Sequence, residues 1–259
     1  MIIDTFMFND EFEMLDLRLA LTSSYVDHWV ILEGNRTWSG IAKPFYLTQN
    51  LSRYEQYRDR ITVISLDIPQ SYVNWQCENH SRASLQQGID KFGPEDIIIH
   101  GDLDEILNPE LVPAIIQTMD QANQPVACVM EMFVYKFDQK LDRNWNGSVV
   151  ARKRMFINPQ QLYKGANTKR KDRSHCVIFS GAAGWHWTWI GDDNRVRSKV
   201  LSCIESQHRD PEQVLDALKN LDAASAINHK CNNSYHAPQY PAIVMDVLHR
   251  YPYWTNAIS

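Results

Sequence analysis

The chain has 259 residues, 44% of them hydrophobic and 22% charged, the balance of an ordinary globular protein with one large core. A net charge of −5 argues against a nucleic-acid binder, which needs a basic face. No 18-residue apolar run and no basic-then-apolar opening occurs, so the sequence predicts no membrane-spanning segment, no export signal and a cytoplasmic protein.

Met1 to Phe8 reads as a strand. Asn9-Asp10 is placed to cap a helix running to about Leu21, with Phe12, Leu15 and Leu19 on one apolar face. Val26 to Leu32 and Ile61 to Ile68 read as further strands, and Glu78 to Phe92 as a helix. Ile97-Ile98-Ile99 is a short β-branched run of the kind buried on both faces of a parallel sheet. Pro109 then opens a helix carrying Val112, Ile115, Ile116 and Met119. Alternating strands and helices over the first 120 residues indicate βαβ units. Beyond that the pattern changes: Val126–Phe137, Ser148–Ile157 and His175–Ile190 look like strands, 164–174 like a long loop, and Pro211–Leu221 and Ala242–His249 like closing helices. The fold expected is α/β, with a Rossmann-type, mostly parallel central sheet flanked by helices and an irregular C-terminal region. It forms a single domain over 1–259, with a nucleotide-binding half at 1–122 and an acceptor-side half at 123–259.

The chemistry concentrates where the isoleucine run ends, in His100-Gly101-Asp102-Leu103-Asp104-Glu105. Ligands of open α/β sheets bind beyond the carboxyl ends of the strands. Three carboxylates released there call for a compensating cation. Asp102 and Asp104, two apart on extended chain, share a face roughly 7 Å apart. One can hold a hard divalent ion, Mn²⁺ or Mg²⁺, while the other reaches a ribose or sugar hydroxyl. The alternative is a solvated acidic turn. In Gly184-Trp185-His186-Trp187-Thr188-Trp189, strand alternation puts the three tryptophans on one face, as core or as a sugar platform, and His186 and Thr188 on the other. His186 completes a metal shell if the aspartates lie opposite. Glu33 to Gly40 follows a strand end and is polar. Arg82 either neutralises a phosphate or pairs with Glu78 one helical turn away. His208 is a further polar candidate. The five cysteines are far apart with no Cys-x-x-Cys, so they read as reduced core thiols. Signatures of dinucleotide enzymes, P-loop NTPases, α/β-hydrolases and zincins are absent.

Five short segments, in order, resemble glycosyltransferase family 17. They are Ile2-Ile3-Asp4-Thr5-Phe6-Met7-Phe8-Asn9-Asp10-Glu11; Val30 to Glu33 with Asn35 to Gly40; Asp96 to Ile99 with Asp102 to Ile106; Ala183 to His186 with Trp189; and Tyr235 to Tyr240. The resemblance implies an inverting, nucleotide-sugar-dependent transferase of the GT-A type, with UDP-N-acetylglucosamine as donor and a glycan or glycoconjugate as acceptor. It carries Asp102 and Asp104 over as the metal and donor motif and points to His186 and the 33–40 segment. On this reading Asp104 and His186 hold the divalent metal, and Asp102 meets ribose or sugar hydroxyls. Glu33, Asn35, Arg36 and Arg82 hold the nucleotide, with Trp185 and His208 as further substrate contacts. Inversion needs a carboxylate base; Glu105 is nearest the motif, with Glu131 and Asp192 as alternatives. A metal-dependent phosphohydrolase acting on nucleotide-sugars and a non-catalytic glycan-binding protein are the competing functions.

Overall fold

The structure, a computed structural model, describes residues 1–156, 175–204, 209–222, 233–235 and 240–255. The expected loop at 164–174, Ile157, His208 and most of the Tyr235–Tyr240 segment lie outside the described residues.

Strand β1 (Ile2–Phe8), helix α1 (Phe12–Thr22), β2 (His28–Gly34), a one-turn helix α2 (Tyr46–Gln49) and β3 (Ile61–Leu66) open the chain. They are followed by α3 (Trp75–Ser84), α4 (Gln86–Ile89), β4 (Ile97–His100), β5 (Glu105–Leu107) and α5 (Val112–Ala122). Next come the long strands β6 (Val126–Val134) and β7 (Gln139–Arg152), then β8 (Val177–Phe179), β9 (Gly184–Thr188), α6 (Asp193–Ser202), α7 (Pro211–Lys219), β10 (Asn233–Tyr235) and α8 (Ala242–Arg250).

One sheet joins the strands in the order β3-β2-β1-β4-β7-β6-β9-β5, with β8 beside β6 and β10 beside β7. From β3 to β4 all pairs are parallel. Ile97, Ile98 and Ile99 are buried, as a parallel strand covered on both faces requires. The sheet then becomes mixed: β7 runs antiparallel to both β4 and β6, while β9 is parallel to β6 and antiparallel to β5. The parallel character therefore holds for the first half of the sheet. The reason is local, since β6 and β7 follow each other through a short connection that only antiparallel strands allow.

Several boundaries differ from the sequence reading. The 78–92 helix starts earlier, at Trp75, and breaks at Leu85 into α3 and α4. Helix α5 begins at Val112, so Pro113 rather than Pro109 occupies its first turn. Asp10 does not cap α1; Glu11 precedes the helix and its Oε2 accepts from the backbone N–H groups of Asn9 and Asp10. Helix α6 lies in a stretch the sequence reading left blank.

Helices pack on both faces of the sheet. Leu15, Leu19, Trp29, Ile31 and Phe6 join Trp185, Trp187 and Val247 in one core. Ile115, Met119, Val126 and Ile99 form a second beneath α5. The carboxyl ends of β1, β2 and β4 and the body of β9 border one large depression.

Candidate active site

The depression has a volume of about 1250 Å³. Its wall contains Asp102, Asp104 and His186, together with Arg36 and Trp38 from the segment after β2, and Asp192, Arg195 and Lys199 from α6. The acidic loop, the Trp-rich strand and the β2 segment, far apart in sequence, thus border a single space.

The loop between β4 and β5 is held from behind. Arg18 of α1 is fully buried and pairs with Asp4 through two hydrogen bonds of 2.7 and 2.8 Å. Its Nη1 donates to the carbonyls of Asp102 (2.7 Å), Leu103 (3.0 Å) and Glu105 (2.9 Å). Burial works against the Arg18 charge, but Asp4 outweighs it and holds the guanidinium above its ordinary range. Gly101 begins the loop because nothing larger fits: a Cβ there would come within 2.2 Å of Ser148 Oγ and 2.8 Å of Glu105 Oε2. Sequence reasoning missed Arg18, since an arginine on an apolar helix face passes for a solvated residue. The signal was its spacing, which places it between Leu15 and Leu19 on the buried side of α1.

Arg82 does not reach the cavity. It is fully buried, with Nε on Glu78 Oε1 at 2.9 Å and Nη2 on Asp102 Oδ1 at 2.6 Å. Of the two sequence alternatives, the structure shows the pairing with Glu78; the second partner of Arg82 is the Asp102 carboxylate, and no phosphate in the cavity is within its reach. His100 lies against Arg82 and against Thr5. Burial, then the Arg82 charge, pushes its pKa down to about 3, so the ring is neutral.

Glu105 is also fully buried. It accepts from Trp145 Nε1 at 2.5 Å and from the Asp102 backbone N–H at 3.1 Å. It braces the loop from behind the cavity wall. Glu131 is ion-paired with Lys140. Asp192, in contrast, lines the cavity with an exposed side chain and accepts the Arg195 backbone N–H at 2.8 Å as the N-cap of α6.

Asp104 faces two groups. His186 Nε2 is 3.6 Å from its Oδ1, and Lys199 Nζ is 3.0 Å from its Oδ2. The antiparallel register of β5 against β9 sets Glu105 opposite His186 and brings the ring to the acidic loop, where it lies 4.8 Å from the Trp145 ring. Lys199 also approaches Glu11 at 3.8 Å, and Arg195, one turn earlier on α6, holds Asp10 at 2.8 Å and Glu11 at 3.3 Å. Burial opposes the Lys199 charge, but Asp104 and then Glu11 overcome it and raise its pKa. Among the described residues, no group of three or more His, Cys, Asp or Glu side chains converges as a metal site.

The β2 segment divides. Glu33 is buried and accepts from the backbone N–H groups of Leu47 (2.8 Å) and Thr48 (3.1 Å), starting α2. Asn35 ties the ends of β2 and β3 together by donating to Asp67 and accepting from the Ile68 N–H. Neither residue lines the cavity. Arg36 does: it donates to the Gly40 carbonyl, and its buried Nε has no acceptor among the described residues.

Trp185 and Trp187 are core rather than platform. Trp185 and Trp187 stack at 5.2 Å and are 6% and 0% exposed, so neither offers a face to a sugar. Trp189 leaves the shared face altogether. It follows β9 with a left-handed φ of 60°, packs half-buried against the cluster that includes Val196 and Leu215, and lines the cavity with Arg209 over its ring at 5.3 Å. Exposed aromatic rings on the cavity wall are those of Trp75, at the start of α3, and Tyr253.

The family model of glycosyltransferase family 17 matches residues 1–193. The chain belongs to that family. Among curated relatives, a β-1,4-mannosyl-glycoprotein 4-β-N-acetylglucosaminyltransferase of Rattus norvegicus is 28% identical over 228 residues, covering 78% of this chain and 42% of the rat protein. The Homo sapiens protein of the same name is 28% identical, with 78% and 43% covered. The chain spans less than half the length of these relatives. Among solved structures, S. aureus TarS 1–349 matches with a TM-score of 0.40 at 10% identity, over 88% of this chain and 70% of that one. The 4-diphosphocytidyl-2C-methyl-D-erythritol synthase of Anaerococcus prevotii matches with a TM-score of 0.41 at 10% identity, over 68% and 85%. No helix among the described residues of this family member is long and apolar enough to cross a membrane.

Proposed function

We propose that this family 17 chain transfers a sugar, N-acetylglucosamine by analogy with its named relatives, from a UDP-sugar to a hydroxyl of a glycan acceptor, with inversion and with the help of Mn²⁺ or Mg²⁺. The observation that carries the reading is the convergence on one cavity of Asp102, Asp104 and His186 with Arg36, Arg195 and Lys199. Carboxylates and cations together suit a diphosphate that arrives with a divalent ion.

The donor set fits such an ion. Asp104 Oδ1 and His186 Nε2 face each other across 3.6 Å. A magnesium-like ion carried by a nucleotide takes only one or two protein ligands, with phosphates and water supplying the rest. When bound there, the ion would stabilise the charge gathering on the departing diphosphate. Asp102, locked by Arg82, would accept from ribose or sugar hydroxyls. Arg36, with an unused Nε, would donate to the nucleotide, and Trp75 would flank the base. Glu33, Asn35, Arg82 and Glu105 serve this site by fixing backbone and carboxylates rather than by touching the donor.

The base falls to Asp192. Glu105 is enclosed and hydrogen-bonded, and Glu131 is held by Lys140, whereas Asp192 is exposed on the cavity wall. An acceptor hydroxyl attacks the anomeric carbon from the face opposite the diphosphate and gives its proton to Asp192. The breaking glycosidic bond leaves its electron pair on UDP. Incubation with Mn²⁺, UDP-N-acetylglucosamine and a panel of oligosaccharides tests the reading. It predicts UDP and an elongated glycan in equal amounts, absent with Asp104→Ala. Release of UMP or phosphate instead of UDP would assign the chain to the phosphohydrolases.

A further inference from the structure

The acidic loop already has a cation. Lys199 Nζ lies 3.0 Å from Asp104 Oδ2 and 3.8 Å from Glu11 Oε1. Its side chain is 24% exposed and lines the cavity. Asp104 Oδ1, on the same carboxylate, faces His186. A divalent ion on Asp104 would therefore stand within a few ångströms of an ammonium. At about 4 Å the repulsion between such charges is large even at an effective dielectric of 20. Lysine can relieve it, because its charge rides on a flexible four-carbon stem. Arg195 cannot take over the role, being held by Asp10 and Glu11. Lys199 lines the same cavity that the reading above gives to the diphosphate.

We propose that Lys199 is a resident counter-cation that competes with the divalent ion for Asp104 in the empty enzyme and passes to the diphosphate when the donor binds. The inference rests on the metal and nucleotide assignments above and adds an order to them. Without nucleotide, the ammonium occupies the carboxylate and the ion binds weakly. With nucleotide, a phosphate oxygen takes the ammonium and Asp104 is released to the ion. Donor and ion then strengthen one another, and by linkage each changes the other's affinity by the same factor.

Lys199→Gln should change the two affinities in opposite directions. Mn²⁺ alone, followed by electron paramagnetic resonance, should bind the variant roughly tenfold more tightly than wild type, within the usual range of such couplings. UDP alone, followed by calorimetry in EDTA, should bind it roughly tenfold more weakly. Lys199→Arg keeps the charge and should leave both affinities within about threefold of wild type, a small part of such a coupling. A merely structural lysine would weaken both ligands together on removal, and that result overturns the proposal. So does an unchanged Mn²⁺ affinity in Lys199→Gln when Asp104→Ala still abolishes Mn²⁺ binding, an outcome that leaves the metal assignment standing. Mn²⁺ binding indifferent to Asp104→Ala overturns both.

Discussion

Replacing Arg18 by methionine should loosen the fold and misplace the acidic loop at once. The guanidinium makes five hydrogen bonds, two to Asp4 and three to the carbonyls of Asp102, Leu103 and Glu105. Both charged side chains are 1% exposed, so no water replaces what is lost. Breaking a buried pair by removing one partner costs about 3–5 kcal/mol, because the other charge is stranded. Three carbonyls, two of them buried, lose their donor as well. For a chain of this size each kcal/mol lowers the midpoint by about 2–4 °C, which predicts a fall of about 10 °C or more. Adding Asp4→Asn removes the stranded anion, so the double variant should be more stable than the sum of the singles implies, with a coupling of about 1–3 kcal/mol. The carbonyls stay unsupported in the double variant. Its turnover should therefore remain at least about tenfold below wild type, since small misplacements of reacting groups are expensive. Urea unfolding and steady-state kinetics on the four proteins read both quantities. Additive stabilities, or a double variant with full turnover, would refute the claim that Arg18 sets the loop.

The remaining predictions concern groups whose roles the structure separates. Asp192→Asn should lower kcat by about a hundredfold or more, in line with the usual contribution of a general base, and leave the KM for donor nearly unchanged. Glu105→Gln should act mainly on stability, with a measurable loss of midpoint and retained pH dependence of turnover; the reverse pattern would return the base to Glu105. His100 stays neutral in the native state down to pH about 3, whereas an unfolded histidine protonates near 6.5. As pH falls below about 6.5 the unfolded chain gains a proton that the native chain refuses, and stability drops by up to about 1.4 kcal/mol per unit. His100→Asn should flatten the dependence of urea stability on pH between about 6 and 4 relative to wild type, and identical slopes would contradict a neutral His100.

The sequence was most legible where apolar pattern and position in the sheet said the same thing. Ile97 to Ile99 read as a covered strand whose end opens on the ligand side of such a sheet, with a solvated acidic turn as the alternative, and Asp102 and Asp104 do border the cavity. Strand alternation set His186 on the face opposite Trp185 and Trp187, and the family resemblance pointed to it as a site residue. The tertiary partners were not legible. Local spacing could place Arg18 on the buried side of α1 and Arg82 one turn from Glu78, but it does not show that Arg18 and Arg82 reach the 102–105 loop or that Glu105 meets Trp145. Helix α6 was missed because only Val196 and Val200 of its ten residues are buried, too thin an apolar stripe to register. Yet Asp192 followed by Asp193 was a readable helix start, and reading it would have brought Arg195 and Lys199 to the cavity. The tryptophan repeat misled for a different reason. Strict alternation ended at Thr188, and the left-handed backbone of Trp189 turned the third ring away from the other two.

Thermal unfolding of the wild-type chain and of Asp104→Ala with UDP-, GDP-, CMP- and dTDP-sugars, each with and without Mn²⁺, bears most directly on the idea that this acidic loop receives a metal-borne diphosphate. A ligand at a hundred times its Kd adds about 2.7 kcal/mol to the native state, a shift of several degrees here. The expected result is a rise confined to one nucleotide class, enlarged by Mn²⁺, with the Mn²⁺-dependent part lost in Asp104→Ala. A midpoint unmoved by every nucleotide-sugar, or a shift of the same size with Mn²⁺, in EDTA and in Asp104→Ala, would contradict it.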